Sequence, residues 1–445
     1  MTEGTTELYV SNFAEFEKQH ATNGQAWTQP IRRAAISRFA ALGFPTTRHE
    51  EWKYTNVAPI ARTPFRMAPR PSQERAAEAL TTATIAGLTC IQLVFVNGHY
   101  VPELSSPRPL PQGVHLSNLA AALGQAPHQV EPHLARYAAY EDHAFVALNT
   151  AFMQDGVALF IPPGCVMPEP VHLVFITLPQ GDAAVTYPRN LIVLGDGAQA
   201  AVIESYIGQG PGAYLTNTVT EIALGENAVV DHCKLEGESR EAYHIATLQI
   251  HQARSSNFTS HSMTMGGALV RNDLNVVLAG QGSECTLNGL FMGTGQQHLD
   301  NHTRIDHAQP HCTSRELYKG ILDGKARGVF NGKIVVHKDA QKTDAMQTNK
   351  NLLLSEEASV DTKPQLEIFN NDVKCYHGST IGRLEDASIF YLRSRGLDLA
   401  AARSLLTYAF ASEIIGRLKH EPIRTMLDCF VLTWLPRSQR TKETL

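Results

Sequence analysis

The fold is decided in residues 191–228, LIVLGDGAQAAVIESYIGQGPGAYLTNTVTEIALGENA. Two apolar runs, LIVL at 191 and VTEIAL at 219, each end in a small-residue turn. The turns are GDGA at 195 and GENA at 225, and they stand 30 residues apart. The pattern extends outward in both directions. Short apolar runs recur at 158–161, 171–176, 274–278 and 332–336, and GQGS follows at 280. Further on, the acidic pairs before Ala358 and Ala387 are 29 residues apart. Between residues 144 and 383 there is almost no helical pattern. Short strands and small-residue turns at a loose fixed period describe a β-solenoid. Stretches such as NHTRIDHAQPHCTS, 301–314, suit stacked side-chain ladders. The hexapeptide repeat of left-handed acyltransferase helices is absent. A β-sandwich is the structural alternative, for which so long a stretch without helix is unusual.

The flanks read differently. In residues 1–57, Ile31, Ala34, Ala35, Arg38, Phe39 and Leu42 recur at helical spacing, and Gly43 with Pro45 ends the helix. PTTRHEEWKYTNV, 45–57, reads as a surface cover. Pro59, Pro64, Pro69 and Pro71 make 58–76 a linker or extended strap. IQLVFVNGHYV, 91–101, is a hairpin about Asn97-Gly98, and 115–141 reads as helix. After Leu397, one apolar stripe runs through Leu399, Ala402, Leu405, Leu406, Ala409, Phe410, Ile414 and Leu418. Pro422 suits the start of another helix. Its stripe is Ile423, Met426, Leu427, Phe430, Val431, Trp434 and Leu435. Two helices cannot bury both stripes on each other, so they must pack on the solenoid or on another chain. The expected division is a helical 1–143 with a hairpin, a solenoid core over 144–385 and a helical 386–445.

The junction of the last two parts is 371–396, NDVKCYHGSTIGRLEDASIFYLRSRG. On a strand, Val373, Cys375, His377, Ser379 and Ile381 share one face, with Cys375 and His377 about 7 Å apart. Asp386 is the expected N-cap of the next helix and Gly396 its C′ residue. Two readings of the pair stay open. One is a core-facing row. The other is a pair of metal ligands, too few for a stable cluster and so completed by another subunit or labile. His298, His302, His307 and His311 beside Cys312 also invite a metal reading. Their gaps of 4, 5 and 4 do not keep them on one strand face, so hydrogen-bonded ladders are the alternative.

The totals exclude several classes. A net charge of −5, from 38 basic and 43 acidic residues, lacks the basic surplus of a broad nucleic-acid footprint. The N-terminus has no apolar signal region, and no run of about 18 apolar residues exists for a membrane span. The seven scattered cysteines never form CxxC, which fits a reducing cytoplasm and excludes a self-contained four-cysteine site. There is no P-loop, and GQGPG at 208 lacks the strand–helix context of a dinucleotide site, so no nucleotide is expected on this chain. No GxSxG elbow is present. Asp300, Asp306 and Asp323 would serve a β-solenoid acting on polysaccharide, a class usually carrying an export signal.

The long motifs resemble a known family. DVKCYHGSTIGRLEDASIFYLRSRGL, GFPTTRHEEWKYTNV, LDNHTRIDHAQPHCTSRELYKGIL and ARGVFNGKIVVHKDAQKTDAMQTNKNLLLS are similar to signature segments of the SufB/SufD iron–sulfur cluster assembly family. His377-Gly378-Ser379 and the ending Arg393-Ser394-Arg395-Gly396 resemble the SufD branch, where SufB usually has HEA and a QQRG-type ending. The resemblance implies a right-handed parallel β-helix between two helical domains, and a scaffold that is not an enzyme. It implies pairing with SufB through the β-helix ends, and binding of the ATPase SufC through the helices at 399–418 and 423–435. It also implies a transient iron–sulfur cluster or iron at the SufB interface, with His377 as a metal ligand and Cys375 as a further candidate. Neutral imidazole is the ligating form, so assembly should weaken as His377 protonates. A homodimer when alone, and a SufB-like homodimeric scaffold, are the neighbouring possibilities.

Overall fold

The computed structural model describes residues 3–20, 25–106, 108–179, 181 and 183–440, and the side chains of 3–5, 19, 20 and 435–440 (Leu435 among them) lie outside that description. The core is a parallel β-solenoid of about eight turns. One sheet runs through Val157–Ile161, Arg189–Leu194, Tyr214–Leu224, Ala242–Gln252, Leu269–Leu278, His298–His307, Arg327–Val336 and Ser359–Ile368. The other runs through Ile91–Val96, Val171–Thr177, Gln199–Gly208, Val229–Gly237, Asn257–Thr264, Glu284–Gly293, Thr313–Leu322, Thr343–Leu353 and Val373–Gly382. From Arg189 on, the chain alternates between the sheets, so hydrogen-bonded neighbours belong to successive coils.

The repeated turns have a physical cause. The first glycine of each sits against the turn of the coil before. A Cβ on Gly195 would lie 2.7 Å from the Pro163 nitrogen, and one on Gly225 would lie 2.7 Å from the Asp196 nitrogen. The third residue is left-handed, at φ 68° for Gly197, 57° for Asn227 and 73° for Gly282. Its N–H is thereby turned to the next coil: Gly197 donates to the Glu226 carbonyl at 2.7 Å and Asn227 to the Arg254 carbonyl at 2.9 Å. The turns are thus rungs of the stack themselves.

The two ends differ. At the first coils the sheets are closed by short antiparallel strands, His99–Tyr100 beside Ile91–Val96 and His115–Asn118 beside Val157–Ile161. Asn97 and Gly98 take φ 53° and 77°, as the hairpin turn requires. At the far end, Ser359–Ile368 and Val373–Gly382 are the outermost strands of their sheets, and among the described residues no strand pairs with their outer edges.

The flanking helices depart from the sequence reading in places. A helix, Ala144–Phe152, stands inside the stretch read as strand-only. Phe145 to Phe152 are all buried, so the helix is apolar all round and carries no amphipathic period to read. It packs with Gln29–Leu42 through Ala35, Phe39, Leu148 and Phe152. Arg189 bonds Asn149 and Thr150 of this helix and pairs with Glu221 at 2.6 Å, both fully buried. Glu221 also accepts from the Ala135, Tyr137 and Ala138 amides. Stranding either charge of such a pair costs about 3–5 kcal/mol. Residues 58–76 hold a helix, Ala58–Arg62, and the start of another, Gln73–Ala83, where a strap was expected. The region read as helix at 115–141 opens with the strand His115–Asn118. Glu385, not Asp386, is the N-cap residue of Asp386–Ser394, and Gly396 takes φ 94°.

The helices Leu399–Ile415 and Glu421–Arg440 pack on the solenoid. Ala411, Ile414, Ile415, Leu418, Ile423, Leu427, Val431 and Trp434 meet the outward residues Leu235, Met263, Leu290, Met292, Leu317 and Ile321. Each large side chain buried there contributes about 1.5–3 kcal/mol. Leu399, Leu405 and Ala409, read as part of the stripe, lie on the exposed side instead. No helix among the described residues is long and apolar enough to cross a membrane.

The 45–57 segment covers the outer face of the other sheet. Trp52 is stacked under the Arg271 guanidinium, 3.7 Å from ring centre to carbon, and Arg271 donates to the Glu51 carbonyl at 2.7 Å. Thr55 donates to Asp300 at 2.5 Å. His302 bridges Asp300 at 3.0 Å and Glu51 at 3.6 Å. Burial alone would lower the His302 pKa, and Arg271 adds to that. The Asp300 charge and the hydrogen bonds to Asp300 and Glu51 outweigh them, so it is raised. The hydrogen bond from His302 leads the causes that hold Glu51 well below its usual range. A raised histidine stabilises most fully below its unfolded value of about 6.5 and is lost as pH climbs through the folded value. The depressed carboxylates contribute above about 4 and are lost on acidification. The stability advantage of the native chain over His302→Gln, measured by urea unfolding, should therefore be largest between about pH 4 and 6.5. It should shrink steadily from pH 6.5 towards 9. An advantage constant over that range would remove the ion pair from the clamp.

Candidate functional site

The candidate pair lies on Val373–Gly382, which pairs in parallel with Thr343–Leu353 in the register Ala345↔Cys375, Gln347↔His377 and Asn349↔Ser379. The face shared by Val373, Cys375, His377, Ser379 and Ile381 is the inward one. Val373 and Cys375 pack on Ile334, Val336, Ala340 and Ala345. Ser379 donates across the coil to Thr362 Oγ1 at 3.1 Å. In any earlier coil this row would be sealed. Here no coil follows, so His377 is exposed and Cys375 half-buried. Burial pushes the Cys375 thiol up; the Ala345 amide opposes this and Asp344 adds to it. The thiol is therefore held protonated at neutral pH, and a cation binding there has to displace its proton.

The rung below His377 is polar and buried. The Gln347 side-chain amide donates through Nε2 to Glu316 Oε2 at 2.8 Å. Burial pushes the Glu316 carboxyl up to about 7. Gln347 Oε1 is buried without a hydrogen-bond partner. Deeper in the solenoid a second polar cluster closes on itself. Lys234 donates to Asn272 at 2.5 Å and lies 2.8 Å from His244, which meets Glu238 at 2.6 Å. Burial lowers the Lys234 ammonium and raises the Glu236 and Glu238 carboxyls.

Large apolar side chains are exposed on Val373–Gly382, just after Ser359–Ile368 and on the following helix, Asp386–Ser394. Tyr376 is 60% exposed, Ile381 51%, Phe369 64% and Phe390 75%. Such a patch next to two free strand edges is unusual for a surface facing only water.

The histidines at 298–311 are not brought together. His298 and His302 lie on the outer face under the 45–57 segment, bonded to Thr55 and paired with Asp300. His307 points inward to Ser314 Oγ at 2.9 Å. His311 is an exposed turn residue at φ 61°. Cys312 is buried, its thiol directed to the Gly280 carbonyl. Among the described residues no group of three or more His, Cys, Asp or Glu could hold a metal ion. Asp300 is locked to Arg271, His302 and Thr55, and Asp306 is paired with Arg304 at 2.7 Å. Neither is free for acid–base work. Sequence reasoning missed Glu316 and Gln347. The signal was there in Ala345, Gln347, Asn349 and Asn351, an inward row at period two that is mostly polar.

The chain so built is a parallel solenoid between helical flanks, with an imidazole and a thiol on its outermost strand. The chain belongs to the SufBD family of the SUF system. Residues 176–410 match the SUF system FeS cluster assembly SufBD core domain, and residues 3–173 match the SufBD protein N-terminal region. Among individual relatives it is similar to the iron–sulfur cluster assembly protein SufD of Escherichia coli, 33% identical over 92% of this chain and 94% of the relative. It is 36% identical to a SufBD family protein of Synechocystis, over 87% and 86%, and 25% identical to SufD of Bacillus subtilis, over 94% and 95%.

Proposed function

We propose that this chain is a scaffold subunit of the SUF assembly machinery that offers His377 to iron at a contact with a SufB-type partner. The observation that carries the reading is the position of His377: inward-facing by register, yet exposed, on the last strand of the stack. Free backbone groups on Ser359–Ile368 and Val373–Gly382 suit strand pairing with another subunit, and the exposed apolar side chains suit burial against it. The iron–sulfur cluster is cargo in this reading, held between two chains. One imidazole and one protonated thiol are too few ligands to retain it, so the partner completes the set and the cluster can be passed on. Cys375 is the weaker contributor because deprotonation must accompany its binding. The same end can pair with a second copy of this chain when no partner is present.

ATP enters through another subunit, since this chain has no P-loop. A SufC-type ATPase would dock on the outer side of Leu399–Ile415 and Glu421–Arg440, where Leu399, Leu405 and Leu432 are exposed. The inner sides of these helices are already used by the solenoid.

Two measurements test the reading. In the complex co-purified with SufB- and SufC-type partners, His377→Ala should lower cluster yield by at least about tenfold, the loss seen even for outer-shell partners of a metal. Cys375→Ser should lower it less. Full yield from His377→Ala would remove the ligand role. Leu405→Asp combined with Leu432→Asp should abolish co-purification of the ATPase while leaving the unfolding midpoint unchanged; retained binding would move the docking site elsewhere.

A further inference from the structure

Resting on that reading of His377, we propose that Gln347 is its positioning residue: the Gln347 carbonyl oxygen accepts the N–H of one ring nitrogen and leaves the other nitrogen's lone pair facing out of the open coil. Glu316, Gln347 and His377 occupy one inward row on three successive strands, in the register Glu316↔Gln347↔His377. Neighbouring rungs are about 4.8 Å apart, within reach for an amide and an imidazole. Gln347 commits its donor end to Glu316 on the strand to one side. Its acceptor end is left uncommitted, and the strand on the other side carries His377 in register. That oxygen is buried and has no hydrogen-bond partner. A buried carbonyl left so is destabilising, and a ring N–H removes the cost.

The seat of the amide is specific. On the facing sheet, Gly332 lies against Gln347 Nε2, and a Cβ at that position would collide with it. The pair is also insulated below, because the residue under Glu316 in the row is the buried Leu287. Cys375 has no equivalent, since Ala345 underlies it. The arrangement thus serves the imidazole alone. A ligating histidine commonly donates its second nitrogen to such a group, which fixes tautomer and ring orientation.

The test uses the full-length chain with 15N-labelled histidine at about pH 8, where an ordinary imidazole is neutral. His377 ring signals are assigned by their loss in His377→Ala. The native chain should show one tautomer for His377. Gln347→Met, of similar volume, should give the averaged shifts of a free imidazole. Gly332→Ala, which displaces the amide without changing Gln347, should act like Gln347→Met. In the assembled complex, Gln347→Met should lower iron retention about tenfold. Unchanged His377 ring shifts in both Gln347→Met and Gly332→Ala would overturn the inference, whatever assembly does. Altered ring shifts with full cluster yield in His377→Ala would instead sink the iron reading.

Discussion

A parallel solenoid satisfies its backbone by pairing each coil with the one before and the one after, and the last coil has no successor. In this chain the first end is blunted by antiparallel pieces of two and four residues. The last end leaves two ten-residue strands, Ser359–Ile368 and Val373–Gly382, with no strand on their outer edges among the described residues. An edge of that length is a hazard unless something is meant to pair with it. The exposed Tyr376, Ile381 and Phe369 beside it point the same way. The contact surface proposed here is therefore a consequence of where the stacking stops.

The same ending changes what a residue type means. Phe258, Cys285, Ser314, Ala345 and Cys375 form one inward row. Cys285 is a buried core residue and Cys375 a half-exposed thiol, although both sit at the same place in their coils. His232, two strands beyond which the row passes through Leu287 and Glu316, is sealed inside, while His377 is open to solvent. Chemistry at the end of the stack is made from positions that elsewhere build the interior.

This explains what the sequence could and could not tell. The turns GDGA, GENA and GQGS disclosed the coils because close stacking and a left-handed third residue restrict which side chains fit. The face shared by Cys375 and His377 followed from period two alone. Whether that face was sealed did not follow, because this depends on how many coils come after. The helix Ala144–Phe152 escaped notice because it is buried on all sides. The role of Trp52 and Thr55 escaped notice because their partners, Arg271 and Asp300, are more than 200 residues away in sequence. The two apolar stripes near the C-terminus were legible as stripes, but their split between solenoid and solvent was set by the outward residues of a sheet formed far earlier in the chain.

Both outer faces of the solenoid are covered, one by the 45–57 segment and one by the C-terminal helices. The second cover is the one tied to the strand order that ends at His377. Lys319 on Thr313–Leu322 donates to the Phe410 carbonyl at 2.8 Å and pairs with Glu413 at 2.5 Å. Arg403 donates to the Leu354 carbonyl at the end of the next strand in that sheet, and the strand after that carries His377. A force applied to the exposed side of Leu399–Ile415 therefore acts on hydrogen-bonded strands one and two places from the site. Packed strands and helices shift as units and do not deform locally, so a partner that moves the helix must move the open edge with it or break these contacts. On the proposed function, this is the route by which movement of a docked partner would reach the open edge.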